Sequence, residues 1–129
     1  MPFIVRCAAA TVLFLSLAAC SSVSSSVPNA NSGASYEGRV LVTPTELPEG
    51  IRHTVLGTVK ANARAGYGSV ERLYPLLADE ARLLGANAVV GVKGGRRVSM
   101  FSWSAPFVDG TAVRIDDDTA LTALPGESH

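Results

Sequence analysis

One stretch of this chain carries a clear helical period. Val70, Leu73, Leu77, Ala81 and Leu84 recur three or four residues apart with Leu76 beside them, while Arg72, Asp79 and Arg82 fall on the opposite side. Ser69 stands where an N-cap belongs, and Gly85 where a left-handed C-terminal cap needs no Cβ. Pro75 lacks an amide donor and clashes with the preceding turn, so the regular helix starts near Tyr74 or bends there. A lone amphipathic helix must hide its apolar stripe against something else, and the flanking segments are β-like. The expectation is an α+β domain in the order β-β-α-β-β.

Arg39 to Thr43 is a short β-rich run ended by Pro44 and by the turn signal Leu47-Pro48-Glu49-Gly50. Arg52 to Ala61 reads as a second strand. His53, Val55, Gly57 and Val59 share one face and Thr54, Leu56, Thr58 and Lys60 the other, so cover on both sides is expected. After the helix, Asn87 to Val92 is an apolar strand. Gly94-Gly95-Arg96-Arg97 then interrupts it with a hairpin or a bulge before the chain continues through Val98 to Trp103. Phe107 to Ile115 is the last strand, in which Asp109-Gly110 is a turn signal if the residues on each side pair. The remainder, residues 117–129, reads as a flexible tail, and the chain has no internal repeats.

The N-terminus constrains location. Arg6 is followed by an apolar run from Cys7 to Ala19 broken only by Thr11 and Ser16, the order of an export signal. A membrane-spanning helix needs roughly 20 apolar residues, more than this run supplies. Leu17-Ala18-Ala19-Cys20 resembles the bacterial lipobox, which implies removal of residues 1–19 and lipid modification of Cys20. The diacylglyceryl group supplies the two chains that stable anchoring requires. In enteric bacteria an Asp after the lipidated Cys favours inner-membrane retention. Ser21 in that place implies the outer membrane, facing the periplasm.

Residues 20–35 are dominated by Ser with a few Val, Asn, Ala, Gly and Pro, too polar and small to bury a core, and read as a flexible tether; the domain proper spans residues 36–116. Loss of Arg6 with the signal takes the chain from zero net charge to one negative charge, which argues against a nucleic-acid partner. With Cys7 removed and Cys20 acylated, no thiol remains for a disulfide, redox or metal site.

Val55-Leu56-Gly57-Thr58-Val59-Lys60-Ala61, the block from Leu77 to Val92 containing Leu84-Gly85-Ala86-Asn87-Ala88-Val89-Val90-Gly91-Val92, and Asp109-Gly110-Thr111-Ala112-Val113 together resemble the YbjQ-like family, small proteins that carry a heavy-metal-binding label. The resemblance covers about Tyr36 to Ile115. It implies a small β-sheet curved around one main helix, dodecin- or YbjQ-like, assembling through strand edges into a ring-like homo-oligomer. A more distant likeness, through the lipidated tether and Gly-Ala-Asn-Ala-Val, is to RcsF-type envelope-stress lipoproteins, whose disulfide cysteines are absent here.

The metal-ligand candidates are His53, the acidic run Asp116, Asp117 and Asp118, and His129 as the last residue. Soft metals want Cys or clustered His, and the acidic run lacks the spaced ligands of a calcium loop. No nucleophile with a base, paired carboxylates or phosphate loop is legible, so no catalytic residue is assigned and no cofactor beyond the covalent lipid is expected. Lys93, Arg96 and Arg97 form a basic element suited to anionic headgroups or to guarding a strand edge. Phe101, Trp103 and Phe107 form an aromatic cluster suited to core, subunit contact or docking of an envelope protein. The expected function is a lipid-anchored, non-enzymatic envelope domain that self-associates or binds a partner. The alternative is a metal- or small-ligand-binding module.

Overall fold

Pro75 decides where the helix begins. The first turn of an α-helix has no use for its leading amide hydrogens, so Pro is tolerated there. In the computed structural model, which describes residues 22–63, 69–98 and 105–129, helix α1 spans Tyr74–Leu84 with Pro75 in its first turn. A 3-10 turn at Val70–Leu73 leads into it from Ser69, whose carbonyl accepts from the Arg72 amide at 3.3 Å and whose side chain makes no cap bond. Gly85 ends the helix in the left-handed region at φ 91°, as its sequence position implies.

The helix lies against one sheet of six strands: β1 Ser22–Pro28, β2 Leu41–Val42, β3 His53–Ala63, β4 Ala88–Arg97, β5 Ala105–Ile115 and β6 Glu127–Ser128. Their order across the sheet is β1-β3-β5-β4-β2-β6. The β2–β4 pair is parallel and the others are antiparallel, so the fold is α+β with a mixed sheet.

Two apolar cores result, one on each face. Leu77, Ala78, Ala81 and Leu84 of α1 pack on Val40, Val42, Leu56, Val59, Val89, Val108 and Ala112. On the other face Leu41, Ala88, Val90, Val113 and Ile115 are covered by Leu47, Ile51 and a short helix α2, Asp118–Ala123, through Ala120 and Leu121, with Leu124 just beyond. The segment read as a flexible tail is therefore structural. Asp117 caps α2 by accepting from the Thr119 amide at 2.9 Å, and β6 pairs with β2.

The segment read as a tether is likewise structural over Ser22–Pro28, where β1 pairs with β3 along its whole length. Apolar composition does not decide the order of such a segment. An edge strand is held by backbone hydrogen bonds, and small side chains let α1 approach, as in the 2.8 Å bond that the Ser24 hydroxyl donates to Glu80 Oε1. The folded unit thus reaches beyond 36–116 at both ends.

Two further expectations change. A bulge between Val55 and Gly57 breaks the alternation of β3, so Leu56, Val59 and Ala61 are buried while Thr58 and Lys60 are exposed. Asp109-Gly110 makes no turn. It lies inside β5, paired with Lys60 and Val59 of β3, and Gly94 to Arg97 continue β4, whose irregularity falls earlier, between Val90 and Lys93.

Candidate functional site

The second face of the sheet is only partly covered. Around α2 it is a core, but further along the strands Thr58 and Lys60 of β3, Asp109 and Thr111 of β5 and Lys93 of β4 line an open cleft of about 400 Å³ together with Glu46, Gly91 and Gly110. Lys60 and Lys93 stand opposite Asp109 from its two sides in the strand registers. Among the described residues neither lysine makes an ion pair. The cleft's shape follows from the β4 bulge. Gly91 adopts φ 60°, and a Cβ there would meet Glu46 Oε1 at 2.4 Å. The 43–46 segment is laced to that bulge, Gly91 N donating to Thr45 O at 3.0 Å and Val92 N to Thr43 O at 3.1 Å. Two ammonium groups astride a carboxylate, with two threonine hydroxyls, favour polar recognition over covalent chemistry. The strand pattern Thr58-Val59-Lys60 carried this signal, hidden by the unread bulge.

The metal-ligand candidates are brought to one end of the sheet. His53 pairs with Ile115, the residue before Asp116, and the Asp116 amide donates to Arg52 O at 3.1 Å. They do not converge. His53 is exposed with its Nδ1 2.9 Å from Ile51 O, Asp117 is occupied in capping α2, and among the described residues no three His, Cys, Asp or Glu side chains gather.

His129 is held rather than loose. Its amide donates to Val40 O and its carbonyl accepts from Val40 N, both at 2.9 Å. Arg82 also reaches the His129 carbonyl with Nη2, while Nε donates to Gly38 O at 2.9 Å and Nη1 pairs with Asp79 Oδ1 at 2.7 Å. The His129 Nε2 is buried without a hydrogen-bond partner among the described residues, and Glu127 Oε2 lies 3.6 Å from it. Tyr74 meets the imidazole edge-on, ring centres 6.3 Å apart. Burial pushes the Tyr74 hydroxyl above its ordinary pKa of 10.0, and the charges of Glu71 and Glu127 add to the rise.

Of the aromatic cluster, Phe107 is half-buried with its ring over Gly95, where a Cβ would come within 3.2 Å of it. Phe101 and Trp103 lie outside the described residues, as does Cys20. Arg96 is exposed near the end of β4, and Arg97 is that strand's last residue. Val98, next in the chain, is 62% exposed.

Comparison with protein families, curated proteins and solved structures finds no match to this chain.

Proposed function

We propose that this chain is a bacterial lipoprotein: residues 1–19 are removed, Cys20 takes the lipid, and the rest is a non-enzymatic domain of the cell envelope, on the outer membrane facing the periplasm. The observation that carries the reading is the position of Cys20, the last residue of Leu17-Ala18-Ala19-Cys20 and only two residues before β1 begins at Ser22. A cut before Cys20 leaves the whole described fold intact and adds almost no free chain to it.

Its molecular activity is self-association or docking of an envelope protein. Supporting this, β1 is the terminal strand of the sheet, so its outer edge has no strand partner among the described residues. Seven residues of edge backbone are a template for strand addition by another chain. A YbjQ-like ring built through strand edges, the finer expectation from the sequence, would use this edge. The RcsF-like link to envelope stress belongs to the same proposal.

The test is native mass spectrometry of the chain beginning at Ser21, purified without chelators or an affinity tag. A closed oligomer without metal is expected. A monomer with one metal per chain would contradict the scaffold reading in favour of a ligand-binding module, with His53 and Asp116 to Asp118 the first residues to substitute.

A further inference from the structure

The longest backbone edge without a strand beside it, among the described residues, is the outer side of β1. Native edges are commonly guarded by charge, proline or a bulge. The stretch of β4 from Lys93 to Arg97, beyond the pairing with β2, is shorter and carries three basic residues, and β6 is two residues long. β1 has no such guard. Its seven residues hold no charge, its one proline is the last of them, and it runs along β3 without a register shift.

The sequence of β1 is also self-complementary. Val23-Ser24-Ser25-Ser26-Val27 reads the same in both directions about Ser25. Two copies laid antiparallel about that residue set Ser25 opposite Ser25 of the second copy, Ser24 opposite Ser26, and each Val23 opposite a Val27. Opposed residues of antiparallel strands point to the same face with Cβ atoms about 5 Å apart, so both valine pairs meet. Within one chain Val27 is 63% exposed. Val23, Ser25 and Val27 pair with Asn62, Lys60 and Thr58, which puts them on the open face of the sheet.

The helix face offers a second uncovered side chain. Glu80 accepts from the Ser24 hydroxyl at 2.8 Å, so that side of α1 is turned to β1. Leu83, three residues on, shares that side and is 62% exposed. Two well-exposed apolar residues thus flank one edge, one on each face. The charges beside the edge leave room for a second copy. Lys60 stands one strand in, so the two copies of Lys60 are about 14 Å apart across three strand spacings. Each Glu80 is bonded to its own Ser24, and the two Ser24 Cα atoms are about 8 Å apart, a Debye length at physiological salt.

We infer that β1 is a dimerisation strand: two copies of this chain pair antiparallel through β1 about Ser25 and join their sheets into one. This rests on the self-association proposed above and specifies its surface and symmetry. Both copies use the same edge, so the assembly is a two-fold dimer, whereas a ring needs two different edges. A seam lying along the bilayer surface lets the Cys20 anchors, one at either end of it, enter the same leaflet.

The experiment uses the full lipidated chain in detergent. Acylation of Cys20 and loss of Cys7 with the signal leave an introduced cysteine as the one thiol, and thiol labelling of the parent chain at Cys20 reports failure of lipidation separately. Under mild oxidation Ser25→Cys is expected to cross-link to a dimer, since residue 25 of one copy faces residue 25 of the other. Val27→Cys is expected to cross-link several-fold less, because its two copies lie about 14 Å apart, beyond the roughly 7 Å that a disulfide spans between Cα atoms. Native mass spectrometry is expected to show a dimer of the parent chain and a monomer of Ser25→Lys, which sets two ammonium groups directly opposite each other at the axis. Ser25 is exposed within one chain, so that variant keeps its fold, as circular dichroism checks. A monomeric parent chain overturns the inference together with the self-association reading. An assembly larger than a dimer, a dimer that survives Ser25→Lys, or cross-linking at position 25 no greater than at 27 overturns the β1 pairing alone.

Discussion

Gly57 is packed against Val27 so closely that a Cβ on the glycine would lie 2.3 Å from the Val27 carbonyl oxygen. The contact is where β1 meets the β3 bulge. Pro28 is the register partner of Gly57, and Asn29 closes the junction by donating Nδ2 to Val55 O at 2.7 Å and its amide to Leu56 O at 2.9 Å. Gly57 has φ 152°, on the positive side that L side chains rarely adopt.

Gly57→Ala is therefore expected to lower stability by about 1–3 kcal/mol through backbone strain and to loosen β1 selectively. Urea denaturation measures the first. Hydrogen exchange measures the second, with amide protection lost in Ser22–Pro28 before it is lost in β4 and β5.

Asn87 links the end of the helix connection to the last long strand. Its Nδ2 donates to Ile115 O at 2.9 Å and its Oδ1 accepts from Ile115 N at 2.8 Å, in a buried setting. Asn87→Ala leaves both backbone groups of Ile115 without these partners, at about 1–3 kcal/mol each where water cannot replace them. Asn87→Asp keeps the acceptor but sets an oxygen against the Ile115 carbonyl, so it also destabilises. Thermal unfolding of both variants checks this, and unchanged midpoints would refute it.

Arg82 joins α1 to Gly38 and His129. Arg82→Ala is expected to release β6 while leaving the core under α1 in place, seen as faster exchange at the amides of Val40 and His129. Arg82→Lys retains the charge but loses the planar fork that serves several acceptors at once, and is expected to restore little of the protection.

Tyr74 gives a pH dependence. Its hydroxyl titrates above the ordinary 10.0 because burial disfavours the phenolate, with Glu71 and Glu127 adding repulsion. The fold thus favours the neutral phenol. That contribution is fully present below about pH 10 and is lost as pH rises through the folded value. The unfolding midpoint of the parent chain should fall more steeply above pH 10 than that of Tyr74→Phe, and parallel curves would contradict the assignment.

The helix was legible because its signals agree. The apolar spacing from Val70 to Leu84, Pro75 in the first turn and Gly85 at the cap all specify the same element. β1 was not, because what holds Ser22–Pro28 is its backbone pairing with β3, and no side-chain pattern reports that. Nor was α2: six residues are too short for a periodic signal, and the value of Ala120 and Leu121 depends on the apolar patch of Leu41, Val90, Val113 and Ile115 that they cover. The β3 bulge moved Leu56 to the helix side and so concealed the polar cleft around Lys60, Lys93 and Asp109. A one-residue irregularity reassigns faces, which strict alternation cannot anticipate.

The most direct test of the lipoprotein reading is the intact mass of the chain extracted from the cell envelope. It is predicted to begin at Cys20 and to carry a covalent diacylglyceryl group, with Cys20→Ser left unprocessed and unlipidated. A mature chain that starts elsewhere, or that retains a free Cys20 thiol, would contradict it.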